Sequence, residues 1–289
     1  MPIPELSLAD PEYHAITGPL FHYTTIDAAK SIFESKSLWA TNALYLNDAR
    51  EIELGLSLLR RTVRQLLPTS EAHQRGFLEH LLKWLDVDLM RSAAVYVVCF
   101  SEARNQLSQW RGYSRHGRGL SIGFDCGRLI ERMQAVGWMF HTCVYGGESQ
   151  QGYVNAILTR LLREAGAAVD GDRKDHFDQI IGKNLKDILQ VMASIKDREF
   201  VEEREVRFMS PTINAGDPAL KFRAGNYTLI PYVEFELVGN QADILEVPEI
   251  IVGPSPNEQL TLAAVRSLAH QKGVVPRSLA LSNVPYREL

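Results

Sequence analysis

The stretch AAVYVVCFS, residues 93–101, constrains this chain more than any other. It is β-branched and aromatic and runs apolar at consecutive positions, which reads as a strand buried on both faces. At 289 residues the chain is one large domain or two small ones, long enough to bury a real core around such a strand. RGLSIGFD and GWMFHTCVYG are further strand candidates, flanking a helix at 127–136.

The rest of the chain supplies helices of unequal length and a strand-rich tail. LNDAREIELGLSLLRRTVRQLL predicts a long amphipathic helix, because Ile52, Leu56, Leu59, Val63 and Leu66 alternate at spacings of four and three. A second helix after Pro68 is carried by Phe77, Leu81, Leu85 and Leu89. Residues 150–198 read as mostly helical, with a polar break at VDGDRKD. FVEEREVRFMS, NYTLIPYVEFELVG and LEVPEIIVG follow as strands, then a helix at 257–272 and a last strand in RSLALSNV. Strands and helices mix without regular βαβ alternation, so the expected class is α+β. The expected organisation is an N-terminal arm at 1–19, then a single domain at 20–289 with helical insertions at about 50–91 and 150–198.

A net charge of −4 is too small to name a partner. Cys99, Cys126 and Cys143 are odd in number and lack CxxC spacing, which argues against a disulfide framework or a zinc site. His73 and His80 share a helix face without a carboxylate or cysteine at ligand spacing, so no metal is expected. No apolar run approaches membrane-spanning length, and the expected protein is soluble and cytoplasmic, with no membrane partner.

Four segments carry side chains of chemical interest. FHYTTIDAAKSIF, residues 21–33, puts His22, Tyr23, Thr24 and Thr25 where a strand meets a helix. Either threonine can cap that helix and Asp27 suits its first turn, but nothing in helix formation requires His22 or Tyr23. In LNDAREIE, Asp48 with Glu51 makes a capping box, and Asn47 is free to turn the chain or meet a ligand. CFSEARNQLSQWRGYSRHGRG interleaves Trp110 and Tyr113 with Arg111, Arg115, His116 and Arg118, a mixture that holds phosphates and stacks a ring. Trp110 also suits packing of its helix onto the sheet. In FVEEREVRFMS, strand alternation puts Glu203, Glu205 and Arg207 on one face, as a solvated edge or as a carboxylate held by an arginine. GLSIG matches the spacing of a hydrolase nucleophile elbow, but the strand begins at the serine instead of preceding it, so Ser121 is an ordinary strand residue.

Taken in order, FHYT, LNDAREIE, CFS, WRGY and EEREVRF resemble a bacterial family known as a domain of unknown function, with the pattern HYT…LNDxxE…CFS…WxxY…ExEhR. More distantly, that order resembles the ADP-ribosyltransferase superfamily. The resemblance implies a mixed or antiparallel split sheet with inserted helices, and NAD as substrate. It implies that His22 binds the NAD ribose with Tyr23 and Thr24 in support, and that Ser101, Trp110 and Tyr113 line the nicotinamide side. Asn47, Arg118 and Arg207 complete the expected binding set. The resemblance makes Glu203 or Glu205 the catalytic glutamate. Glu205 is expected to act because it sits deeper in the apolar part of its strand, with Glu203 orienting the acceptor nucleophile. The implied acceptor is nucleic acid or protein, in a toxin or antiphage effector paired with an antitoxin or another defence protein. Two alternatives stay open: a ligand- or partner-binding module braced by a buried His–Glu–Arg network, and a metal-independent nuclease using His22 and the arginine-rich loop.

Overall fold

Within the apolar run, Tyr96–Ser101 becomes the strand on which the sheet divides. A computed structural model describes residues 16, 18–46, 49–87, 94–114, 118–166, 173–225, 227–240 and 242–285. The expected arm falls largely outside that range, and Asn47, Asp48, Arg115 and His116 fall outside it entirely. In chain order the elements are β1 (Leu20–Thr25), α1 (Ile26–Ser35), β2 (Ser37–Asn42), α2 (Ala49–Leu66), α3 (Ala72–Val87) and β3 (Tyr96–Ser101). Then come α4 (Leu107–Tyr113), β4 (Gly119–Phe124), α5 (Cys126–Ala135), β5 (Met139–Thr142), α6 (Gly147–Gly166) and α7 (Arg173–Ser194). The chain continues with β6 (Glu205–Met209), β7 (Lys221–Ala224), β8 (Leu229–Glu236), β9 (Leu245–Val252), α8 (Glu258–Gln271) and β10 (Val274–Leu281).

Among the described residues the strands form one open mixed sheet in the order β10-β9-β4-β1-β3-β2-β8-β7, with β6 on β3 and β5 on β6. Only β9 and β10 pair in parallel. One edge of β3 pairs with β6 from Val97 to Ser101. Its other edge is shared: β1 joins through Phe21 opposite Ser101, and β2 through Thr41 and Asn42 opposite Val97 and Tyr96. The chain leaves the sheet between β1 and β2 to form α1, so two branches diverge from β3.

Alternation along β3 assigns its side chains to two cores. Val97 joins a helical core built on Leu59, Val63, Phe77, Leu81, Ile157 and Met192, the apolar faces of α2, α3, α6 and α7. Val98 and Phe100 join a second core with Phe33 of α1, Leu129 of α5 and Val265 of α8. Both faces are covered, as the apolar run required.

Two expectations change. The segment 198–203 is a 3-10 turn, and β6 starts only at Glu205. Asp197 caps the turn by accepting from Glu199 N at 3.0 Å, and Arg204 leaves it in the left-handed region with φ 43°. Glu203 therefore shares no strand face with Glu205. β7 is the second change, since its residues KFRA carry no apolar alternation to announce a strand.

Candidate functional site

Four charged side chains from 196–207 close on one another inside the protein. Lys196, just beyond α7, donates from Nζ to Glu203 Oε2 at 2.6 Å and to Glu205 Oε2. Arg207 grips the same Glu205 carboxylate with Nε to Oε1 at 2.7 Å and Nη2 to Oε2 at 3.1 Å, and its Nη1 donates to Ala193 O at 2.5 Å. Lys196 and Arg207 are each 1% exposed, Glu205 5% and Glu203 6%. Four charges so deeply buried persist only because each is paired. Burial pushes the Glu205 pKa up, but the charges of Arg207 and Lys196, with hydrogen bonds from Arg207 and the Cys99 thiol, outweigh it and hold the carboxyl at about 2. Glu205 is thus ionised and fixed in direction. Tyr113 Oη donates to Glu203 Oε2 at 3.4 Å, and Tyr145 Oη accepts from Glu205 N at 2.9 Å.

Glu205 and Arg207 form part of the wall of a cavity of about 640 Å³ where β1 and β2 part from β3. β1 contributes His22, Tyr23 and Thr24, β2 contributes Trp39 and Thr41, α4 contributes Arg111 and Tyr113, and β7 contributes Arg223. His22 Nδ1 lies 2.9 Å from the carbonyl oxygen of Cys99. A carbonyl only accepts, so Nδ1 carries the proton and Nε2 is the acceptor of the neutral ring. Burial lowers the His22 pKa, against the raising effect of that hydrogen bond, so the ring stays neutral at physiological pH. Tyr23 Oη is engaged at both ends, donating to Ala103 O at 2.7 Å and accepting from Gln106 N at 2.9 Å. Burial raises its pKa to about 12. Thr25, not Thr24, caps α1 by accepting from Ala28 N at 3.2 Å.

A family model described as "Protein of unknown function (DUF2971)" matches residues 109–208. That span runs from α4 to β6 and contains Tyr113, Lys196, Glu203, Glu205 and Arg207, but not His22. No curated protein and no solved structure matches the chain.

Of the residues expected to form the site, His22, Tyr23, Thr24, Tyr113, Glu205 and Arg207 line this one cavity. Four others sit elsewhere. Glu203 is buried behind the wall on Lys196. Ser101 is a latch: its Oγ donates to Glu203 O at 2.5 Å and accepts from Ala103 N at 2.9 Å, tying β3 to the turn before β6. Trp110 is completely buried, edge-on to Tyr23 at 4.9 Å with Nε1 bonded to Asn105 Oδ1, so packing accounts for it. Arg118 lines a separate depression of about 390 Å³ with Gly253, Ser255 and Asn257. Asn47 lies outside the described residues.

Sequence reasoning missed Lys196, Trp39, Thr41 and Arg223. The signal for Lys196 was a single cation one residue past the apolar helix run that ends in VMASI. Arg223 follows an aromatic in KFRA, the same alternation of cation and ring that drew attention to WRGYSRHGR. Among the described residues no cluster of three or more histidines, cysteines and carboxylates is arranged for a metal ion. None of the described helices is long and apolar enough to cross a membrane.

Proposed function

We propose that this chain binds NAD in the cavity between β1 and β2 and transfers its ADP-ribose group to an acceptor. The observation that carries this reading is convergence: His22 and Glu205, 183 residues apart in sequence, line the same cavity together with Tyr113. A volume of about 640 Å³ suits a nucleotide-sized ligand. Glu205, held ionised and poorly hydrated, is suited to accept a hydrogen bond from the nicotinamide ribose and stabilise the positive charge that develops as the glycosidic bond breaks. His22, neutral with Nε2 as acceptor, can take a hydroxyl hydrogen bond from the second ribose and so position the reacting carbon. The Tyr113 ring at the cavity wall offers a surface for the nicotinamide.

Release of nicotinamide from NAD, followed by chromatography, tests this directly. Wild-type protein is expected to turn NAD over, and Glu205→Gln to lose turnover while still binding NAD. Absence of both turnover and NAD-induced thermal stabilisation in the wild type would sink the reading.

One observation favours a second reading, a ligand-binding module without catalysis. Glu205 is already gripped by Lys196 and by two nitrogens of Arg207, as a purely bracing carboxylate would be. On that reading NAD or another nucleotide binds without turnover, and Glu205→Gln lowers stability alone.

A further inference from the structure

We propose that the β2–β7 arm of this cavity seats a base of a single-stranded nucleic acid, which makes that polymer the acceptor. The word acceptor rests on the transferase reading above; the binding surface rests on its own geometry. Trp39 is 40% exposed and covers Tyr232, which is 8% exposed, with ring centroids 4.5 Å apart and planes at 31°. Stacked on a buried ring, the indole is held as a platform and still presents open surface. Arg223 lies over part of the indole, its guanidinium carbon 6.0 Å from the Trp39 ring centroid. Its Nη2 donates to Thr41 Oγ1 at 3.1 Å, while Nε is buried with no hydrogen-bond partner among the described residues. A guanidinium held this way at a cavity wall is well placed to pair with an anionic oxygen. Tyr45, 39% exposed, adds a second open ring to the same cavity.

Charge points the same way. Among the described residues the cavity lining holds three arginines, Arg111, Arg207 and Arg223, and one carboxylate, Glu205, which Arg207 neutralises. This local excess of positive charge stands out in a chain whose net charge is −4. An acidic peptide would meet the arginines but leave the open faces of Trp39 and Tyr45 unused. A single strand supplies phosphate for the guanidinium and bases for the rings. β7 ends the sheet order among the described residues and three of its four residues are exposed, so a polymer can approach the arm from that side.

The test is fluorescence anisotropy with labelled single-stranded DNA and RNA 12-mers, in the presence and absence of saturating NAD. Poly-glutamate and a 12-base-pair duplex serve as competitors. Trp39→Ala and Arg223→Gln are each expected to weaken single-strand binding about tenfold, as loss of one stacked base or its phosphate contact does. NAD is expected to leave the bound 12-mer in place, and poly-glutamate not to displace it. Should Trp39→Ala fail to fold, Trp39→Leu and Arg223→Gln carry the same comparison. Three results would each overturn the proposal: no single-strand binding, binding indifferent to both substitutions, or displacement by NAD or poly-glutamate. NAD turnover without 12-mer binding would remove this inference and keep the transferase. Trp39-dependent 12-mer binding without NAD turnover would do the reverse.

Discussion

Lys196 shows how far a single cation can set the chemistry of a site it does not line. It neutralises Glu203 and Glu205 together from a position that is 1% exposed. Replacing it with methionine removes the cation that both buried carboxylates share, and breaking a buried pair in this way costs about 3–5 kcal/mol. Urea denaturation of Lys196→Met should therefore show a lower midpoint, and adding Glu203→Gln should recover part of the loss by removing one uncompensated charge. An unchanged midpoint in the single variant would mean that the network is not closed as described. Acid should act on the same region in two stages. Burial holds His141 at about 4, below its ordinary 6.5, so stability present above pH 6.5 is lost as the pH falls toward 4. Glu205, held at about 2 from an ordinary 4.5, contributes stability present above 4.5 that is lost as the pH falls toward 2. Melting temperatures of the wild type and His141→Gln between pH 7 and pH 4 check the first stage: the variant should show the shallower decline. A decline of equal slope in both would assign the acid sensitivity elsewhere.

At the scale of elements, close backbone approach decides which glycines matter. A Cβ built on Gly119 would lie 2.0 Å from Thr24 O and 2.6 Å from Ser114 Cβ, where β4 begins against β1. Gly119→Ala should thus force the two strands apart and cost about 1–3 kcal/mol or more, as overpacking does. Gly112, within α4, meets nothing within 4 Å, and Gly112→Ala should raise stability by about 0.5–1 kcal/mol through helix propensity. Thermal denaturation of the pair gives opposite signs if the strand contact is as close as described. Gly119 was the first glycine of GLSIG, and the physical reason for it is strand contact, not a nucleophile elbow. Long periodic elements such as α2 and β3 were legible because repeated apolar spacing reports burial over many residues. β6 was legible only in part: FVEEREVRF alternates well enough to read as one strand. The cap from Asp197 and the left-handed Arg204 turn its first half aside. In a four-residue edge strand with three exposed positions, such as β7, there is no apolar pattern to read.

At the scale of the whole molecule, the cavity belongs to neither branch of the sheet. His22, Tyr23 and Thr24 come from the β1 branch, Trp39, Thr41 and Arg223 from the β2 branch, and Glu205 and Arg207 from the strand beside their common root. The sequence revealed the β1 and β6 contributions because they sit in compact motifs. It hid the β2 branch, because the chain must fold before SLWATN and KFRA become neighbours. β1 touches β3 through one residue pair and β2 touches it through two, so little backbone pairing ties the branches together at the cavity. A ligand that contacts both should then act as a clasp. At a concentration 100-fold above its Kd, such a ligand stabilises the folded state by about 2.7 kcal/mol, which for a chain of this size raises the melting temperature by roughly 4–5 °C. Amide hydrogen exchange should slow in β1 and β6 with NAD bound, and in β2 as well once the single strand is added, leaving α2, α3, α6 and α7, packed in the separate helical core, unchanged. Protection of β2 by NAD alone would place NAD on the Trp39–Arg223 arm and close that arm to the acceptor. Protection confined to the helices would place the ligand outside this cavity altogether.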